Sequence, residues 1–268
     1  MKCPKIIKKI LTITALCGMV NSASAGLIKT DIVMIVDESG SMSTVQTNLV
    51  NNIGLFASIL AAGGVDAQFA LVGYGSSSST SGSNYIRSLT DFVNATDFAL
   101  AAANLVASGG TEPAFDASAF ALNALTNESG NFTFRNDAVK NLIIYTDEPS
   151  NGDSEYDYAS TDALIKSNNA LYNAVLQGNS AINSLGGLAT GNGGQVFDLL
   201  GLNTTDQSVV TAFVETFANA KLQETLDFCT LNPSDPACVS VGVPEPASLA
   251  IFALGLMGLA GRRKLTIK

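Results

Sequence analysis

Residues 29–43 read KTDIVMIVDESGSMS, and the change of character at Asp37 decides the fold. Lys29–Val36 is an apolar run rich in β-branched residues, the composition of a strand buried on both faces of a sheet. Such a strand needs helices above and below it. Behind it, Val45, Leu49, Ile53, Phe56 and Leu60 fall at helical spacing. Ser43 or Thr44 is placed to cap that helix, and Gly63-Gly64 stops it.

The same alternation continues outward. Ala67–Tyr74 reads as a second strand, the Ser/Gly-rich tract Gly75–Ser83 as a loop, and Tyr85–Leu89 as a short antiparallel edge strand. Helices are expected over about Thr96–Val106 and Glu112–Leu125. Val139–Thr146 is the second strongly apolar strand, and a polar loop, Asp147–Tyr158, follows it. Beyond lie a helix near Ser160–Ser167, a strand at Leu171–Leu176, a helical turn at Ser180–Leu188 and a strand at Gln195–Leu199. The last element is an amphipathic helix, Asp206–Glu224, with Val209, Val210, Phe213 and Phe217 inward. This order predicts an α/β fold: a doubly wound, mostly parallel central sheet with helices on both faces and one antiparallel edge strand.

The first strand ends in Asp37-Glu38-Ser39-Gly40-Ser41. One carboxylate and two hydroxyls close together suit a hard cation with oxygen ligands. Open α/β sheets bind ligands at the carboxyl ends of their strands, where strand order reverses. Gly40 permits the sharp turn that brings both hydroxyls to one spot. Gly109-Gly110-Thr111, read as the opening of a helix, supplies another hydroxyl, and Asp147, after LIIYT, another carboxylate. The D-x-S-x-S pattern alone is common; its order with Thr111 and Asp147 gives it specificity. Glu112 and Glu148 adjoin these residues and read as solvated or supporting groups. Asn151, Asp153, Glu155 and Asp157 alternate along one loop, the pattern either of a second cation site or of a solvated stretch.

Composition narrows the chemistry. The chain has 268 residues and no histidine, which excludes Ser-His-Asp and Cys-His catalysis and His-ligated zinc. The formal net charge is −9, yet residues 26–261 hold only 6 basic residues against 23 acidic ones. Such a middle repels phosphate backbones, so nucleic acid is not an expected partner.

DIVMIVDESGSMS, SGGTEPAFDA and NLIIYTDEP resemble the three metal-ion-dependent adhesion site segments of von Willebrand factor A domains, and GGQVFDL fits as well. The similarity covers about residues 29–225. It implies that Asp37, Ser39, Ser41, Thr111 and Asp147 are ligands of a divalent cation, Mg²⁺ first, with Mn²⁺ and Ca²⁺ as alternatives. It also implies that the cation meets a carboxylate from a protein or an acidic polymer. A binding module is therefore expected, not an enzyme. The rival readings are a structural matrix protein whose metal only stabilises the fold, and a metal-dependent hydrolase with Lys140 or Lys166 as a remote partner for a hydroxyl nucleophile.

The ends read as addresses. Residues 1–25 have a basic start, an apolar stretch and the cleavage pattern Ala23-Ser24-Ala25 of a signal peptide; Leu16 before Cys17 argues against lipidation. Pro244-Glu245-Pro246, the apolar run Ala247–Gly261 and Arg262-Arg263-Lys264 resemble the PEP-CTERM sorting signal of Gram-negative bacteria. That resemblance implies an exosortase partner, transient inner-membrane association through the apolar helix, and export to the cell surface, outer membrane or extracellular matrix. The run, at about 15 residues, is short of the ~20 that usually span a bilayer. Cys229 and Cys238, an even pair in an exported chain, read as a disulfide within a linker. The expected organisation is a signal peptide at 1–25, the domain at 26–228, the linker at 229–242 and the sorting signal at 243–268.

Overall fold

The architecture is a computed structural model that describes residues 26–76, 85–126 and 130–239. The expected signal peptide and the sorting segment, with Pro244, Glu245, Pro246 and the apolar helix, lie outside the described residues. Among the described residues, no helix is long and apolar enough to cross a membrane.

Six strands form one sheet: β1 (Ile28–Asp37), β2 (Val65–Tyr74), β3 (Ile86–Val93), β4 (Ala138–Thr146), β5 (Leu171–Leu176) and β6 (Val196–Asp198). Their order is β3-β2-β1-β4-β5-β6, parallel throughout except for the antiparallel edge strand β3. The chain first builds outward from β1 to β3, then returns to β4 on the other side. The crevice of this reversal opens between the carboxyl ends of β1 and β4.

The helices are α1 (Ser43–Ala62), α2 (Ala95–Ala102), α3 (Ala114–Ala121), α4 (Tyr158–Ser167), α5 (Asn179–Gly191), α6 (Gln207–Leu231) and the short α7 (Pro236–Val239). Val33 and Ile35 of β1 join the core made with α3, α4 and α5. Met34 instead meets α1 and α6. The run is apolar at consecutive positions because each face of β1 has its own helical layer. Phe217 anchors the α1/α6 layer, its ring 5.5 Å from Phe56, 4.8 Å from Phe197 and 5.7 Å from Phe213.

Element types agree with the sequence reading; several ends do not. A 3-10 turn, Gly40–Met42, leads into α1, so Ser43 and Thr44 cap nothing. Met42 N already bonds Ser39 O, which closes the turn with backbone alone. Asn94 caps α2, accepting from Thr96 N and Asp97 N. That helix stops at Ala102, not Val106, because Val106 N donates to the Glu38 carboxylate instead. Pro113 sits at the start of α3, so the helix begins after Glu112. It ends before Asn123, whose positive φ and side-chain bonds to Phe132 turn the chain. In α6, Val209 is exposed and Val214 takes its expected inward place. That helix runs seven residues past Glu224, to Leu231.

Residues 229–231, assigned to a linker from sequence, are thus the last turn of α6. The Cys229–Cys238 disulfide, with Cα atoms 5.1 Å apart, ties α6 to α7. Buried Ala237 and the Asn169–Asp235 hydrogen bond seat α7 on the domain. The helix continues because Phe228 still buries against the domain, and burial outweighs the turn preference of the residues that follow.

Candidate metal centre

Asp37 is the last residue of β1 and is fully buried. The β1–β4 register sets Val36 beside Tyr145, so the next residue pair is Asp37 and Thr146. Thr146 Oγ1 donates to Asp37 Oδ2 at 2.7 Å, and Ser39 N donates to Oδ1 at 2.7 Å. Ser39 Oγ lies 3.1 Å from Ser41 Oγ, and Ser41 Oγ donates to Asp147 Oδ1 at 3.0 Å. Four of the expected residues, Asp37, Ser39, Ser41 and Asp147, therefore form one hydrogen-bonded cluster in the β1/β4 crevice.

Thr111 arrives from the third loop. A Cβ added to Gly75 would lie 3.3 Å from Thr111 O and 3.4 Å from Asp37 Oδ1. Gly75 has φ +88°, so glycine meets both the conformation and the close approach. On the other side a Cβ at Gly152 would meet Thr111 Cγ2 at 2.5 Å, so the loop after Asp147 closes over the threonine. Thr111 does not itself open a helix; two residues separate it from α3.

Glu38, passed over in the sequence, is what holds the Thr111 loop to the sheet. Its carboxylate pairs with Arg87 of β3 and accepts from Val106 N, and its backbone O accepts from Ser108 N. Gln46 of α1 bonds both Asp37 O and Val106 O. Gly73 leaves the space for the Glu38 carboxylate, since a Cβ there would lie 2.6 Å from it. The only sequence signal for this bracket was a glycine in a strand, which marks a close approach without naming the neighbour.

The electrostatics are one-sided. Burial pushes the Asp37 carboxyl up to about 6, against the bonds from Thr146 and Ser39. Glu112 is fully buried and its carboxyl is pushed up to about 7 by burial, with Glu148 and Asp37 adding and Asn151 opposing. Among the described residues, the basic side chains Lys29, Arg87, Arg135, Lys140, Lys166 and Lys221 all engage other partners.

Residues 31–209 match the von Willebrand factor type A domain. The chain belongs to that family. Residues 242–264 match the PEP-CTERM protein-sorting motif. No curated protein matches the chain. The type A domain is thus joined to a signal that directs a protein through the membrane of a Gram-negative bacterium and into exosortase-type sorting. The chain is an exported protein with an interaction domain.

The alternating loop residues of this type A domain do not converge on a second cation. Asp153 accepts from Ser150 Oγ and Asp116 N, Glu155 from Thr126 N, and Asp157 caps α4 through Ser160 N. Asp116, buried at the loop's centre, accepts from Ser154 N and Tyr156 N, both at 2.7 Å. These bonds use the carboxylates to fold the loop. Among the described residues, no three His, Cys, Asp or Glu side chains gather as a metal group; two carboxylates with hydroxyls are a different kind of donor set.

Proposed function

We propose that the type A domain holds a divalent cation, Mg²⁺ foremost, on Asp37, Ser39, Ser41, Thr111 and Asp147. Through it the domain binds a carboxylate of a protein or acidic polymer at the cell surface or in the surrounding matrix. The observation that carries this reading is the oxygen cluster around a buried Asp37 that no basic side chain among the described residues neutralises. Neighbouring ligands on an octahedral Mg²⁺, at ~2.0–2.1 Å from the ion, lie roughly 2.8–3.0 Å apart. The Ser39–Ser41 and Ser41–Asp147 separations of 3.1 and 3.0 Å fit that edge length. A bound cation supplies positive charge with a position left open to an outside oxygen.

The chain's own residues do the positioning. Thr146 and the Ser39 amide fix the Asp37 carboxylate, and Glu38 with Arg87 fixes the loop that brings Thr111. Ser41 is exposed and forms the outer rim of the cluster. The two lysines that a hydrolase reading would enlist, Lys140 and Lys166, are engaged elsewhere, which favours the binding reading. Lys140 bonds Asn168 and Lys166 bonds Asp162, neither near the hydroxyls. Exosortase processing near Pro244–Pro246 and delivery to the surface or matrix complete the proposed route.

The test is calorimetric titration of the purified chain with Mg²⁺, Mn²⁺ and Ca²⁺, beside Asp37→Ala. Saturable binding lost in the variant is the expected result; no binding by folded wild type sinks the reading. Retention on immobilised polyglutamate in Mg²⁺ and release by chelator, at unchanged folding, separates a binding role from a metal that only stabilises the fold.

A further inference from the structure

The helix α6 hides a lysine. Lys221 is fully buried, with the rings of Phe197 and Phe217 centred 4.8 and 5.2 Å from its Nζ. Lysine enters such a place only with partners, and here it has two. Nζ donates to Glu224, one turn along the same helix, at 2.7 Å to each carboxylate oxygen. It also donates to Oδ1 of Asn173, a buried residue of β5. An amine, a carboxylate and a carboxamide therefore share one apolar spot. Burial holds the Lys221 ammonium down to about 8, against the pull of Glu224, so the nucleophilic amine is accessible near neutral pH.

The carboxamide is held in one orientation. Gln195 N donates to Asn173 Oδ1 at 2.9 Å, and Asn173 Nδ2 donates to Asn141 Oδ1 and Glu224 Oε2, both at 3.0 Å. Gly194 makes the first of these bonds reachable, since a Cβ there would lie 2.6 Å from Oδ1. The amine thus lies against the carbonyl it would attack, and a backbone N–H polarises that carbonyl. One carboxylate touches both the attacking and the leaving nitrogen, the position of a proton shuttle. Neutralising Lys221 needs Glu224 alone; the aligned carboxamide goes beyond that.

We propose that Lys221 and Asn173 join through an amide bond between their side chains, formed within the folded domain with Glu224 carrying the protons. Glu224 first takes a proton from the Lys221 ammonium. The freed amine attacks Cγ of Asn173, a C–N bond forms, and the carbonyl electron pair moves onto Oδ1, held by Gln195 N–H. The Cγ–Nδ2 bond then breaks as Glu224 gives its proton to Nδ2, and Glu224 takes the second proton of the attacking nitrogen. The carbonyl reforms, one ammonia leaves, and Glu224 stays protonated, so no net charge is gained or lost. The cleft lined by Leu171, Gln195, Glu224 and Phe228 opens beside Glu224 and gives the ammonia a way out. The bond ties α6 to β5, as the Cys229–Cys238 disulfide ties α6 to α7. Unlike the disulfide, an amide is indifferent to reductant.

The experiment weighs the purified full chain, denatured and reduced, by mass spectrometry and then maps its tryptic peptides. Wild type is expected one ammonia lighter than its sequence demands. Trypsin should fail to cut after Lys221, and a branched peptide should join the segments that hold Asn173 and Lys221. Glu224→Gln, which keeps the shape and removes the shuttle, should have the full mass and only linear peptides. Wild type at full mass, with cleavage after Lys221, overturns the proposal and leaves a buried ion pair. Loss of ammonia with linear peptides alone also overturns it, because an asparagine that cyclises onto its own backbone loses ammonia without a branch. The wild-type mass and map decide the matter even if Glu224→Gln fails to fold. A branched peptide in folded Glu224→Gln would deny Glu224 its role.

Discussion

Buried carboxylates occur at both ends of this sheet, and the two ends treat them differently. Near the start of β1, Asp31 is fully buried and Arg135 reaches it: Nε donates to Oδ1 at 2.7 Å, Nη1 to Asp66 at 2.9 Å, and Nη2 to two backbone carbonyls. Near the start of β5, Glu224 meets buried Lys221 at 2.7 Å and accepts from Asn173 and Gln195. At the carboxyl ends of the strands, Asp37 and Glu112 are just as buried and receive only neutral donors. One dipeptide shows both treatments, since Glu38 takes Arg87 while Asp37 takes none. Burial therefore does not distinguish a structural carboxylate from a binding one; the source of its counter-charge does. The lower end is closed by the chain's own cations; at the upper end Asp37 and Glu112 have none among the described residues, which is the charge the proposed cation would supply.

Substitutions can break this contrast. The largest effect is expected at the closed end. Arg135→Ala strands Asp31 in the interior and should cost about 3–5 kcal/mol, the usual penalty for removing one partner of a buried pair. Urea unfolding at neutral pH measures it, and an unmoved midpoint would deny that Arg135 neutralises Asp31. Replacing Cys229 and Cys238 together by serine should cost about 2–3 kcal/mol from the loop of roughly ten residues, read from the melting temperature under oxidising conditions.

At the open end the sign reverses. In chelator at pH 7, Asp37→Asn removes a buried, unneutralised charge and should stabilise the fold by roughly 1–3 kcal/mol, while abolishing any rise in melting temperature with Mg²⁺. The pH dependence follows from the same charges. The folded state holds Asp37 up to about 6 and Glu112 up to about 7, against 3.8 and 4.5 for the free groups. Between those values the folded protein binds protons that the unfolded chain has released. The stability these groups contribute is complete below about 4 and is lost as pH rises to about 7. Melting temperatures in chelator should therefore fall across that window relative to Asp37→Asn, and saturating Mg²⁺ should flatten the slope. A slope of equal size with and without the cation would count against the site. The smallest effect is a control: Lys166 pairs with Asp162 at an exposed helix surface, and Lys166→Ala should cost ~0–0.5 kcal/mol.

The fold was largely legible because its signals are local. Two apolar runs, 29–36 and 139–146, declare strands buried on both faces, and the helical spacing between them declares the layers. Helix ends were less legible because distant groups set them. Glu38 ends α2 from another strand, and α6 outruns its expected stop because Phe228 still finds the core. Four of the expected site residues were readable for a similar reason: each stands at or just beyond a strand end, and the strand pattern alone puts those ends at one edge. Glu112 read as a solvated or supporting group, with no choice between the two, because nothing in its neighbours shows that Asn151 and the loop after β4 fold over it.

The sequence by itself determined the alternation of strands and helices, the oxygen-rich motif at Asp37 and the sorting motif over residues 242–264. It did so because hydrophobic period, glycine placement and short motifs act over a few residues. Only the tertiary structure decided which carboxylates find a basic partner. Arg87 and Arg135 could each have met several acids; antiparallel pairing of β3 with β2 brought Arg87 to Glu38, and parallel pairing of β4 with β1 brought Arg135, just before β4, to Asp31. That pairing left Asp37 and Glu112 buried without a positive charge among the described residues, because register, not sequence distance, fixes which side chains share a low-dielectric site.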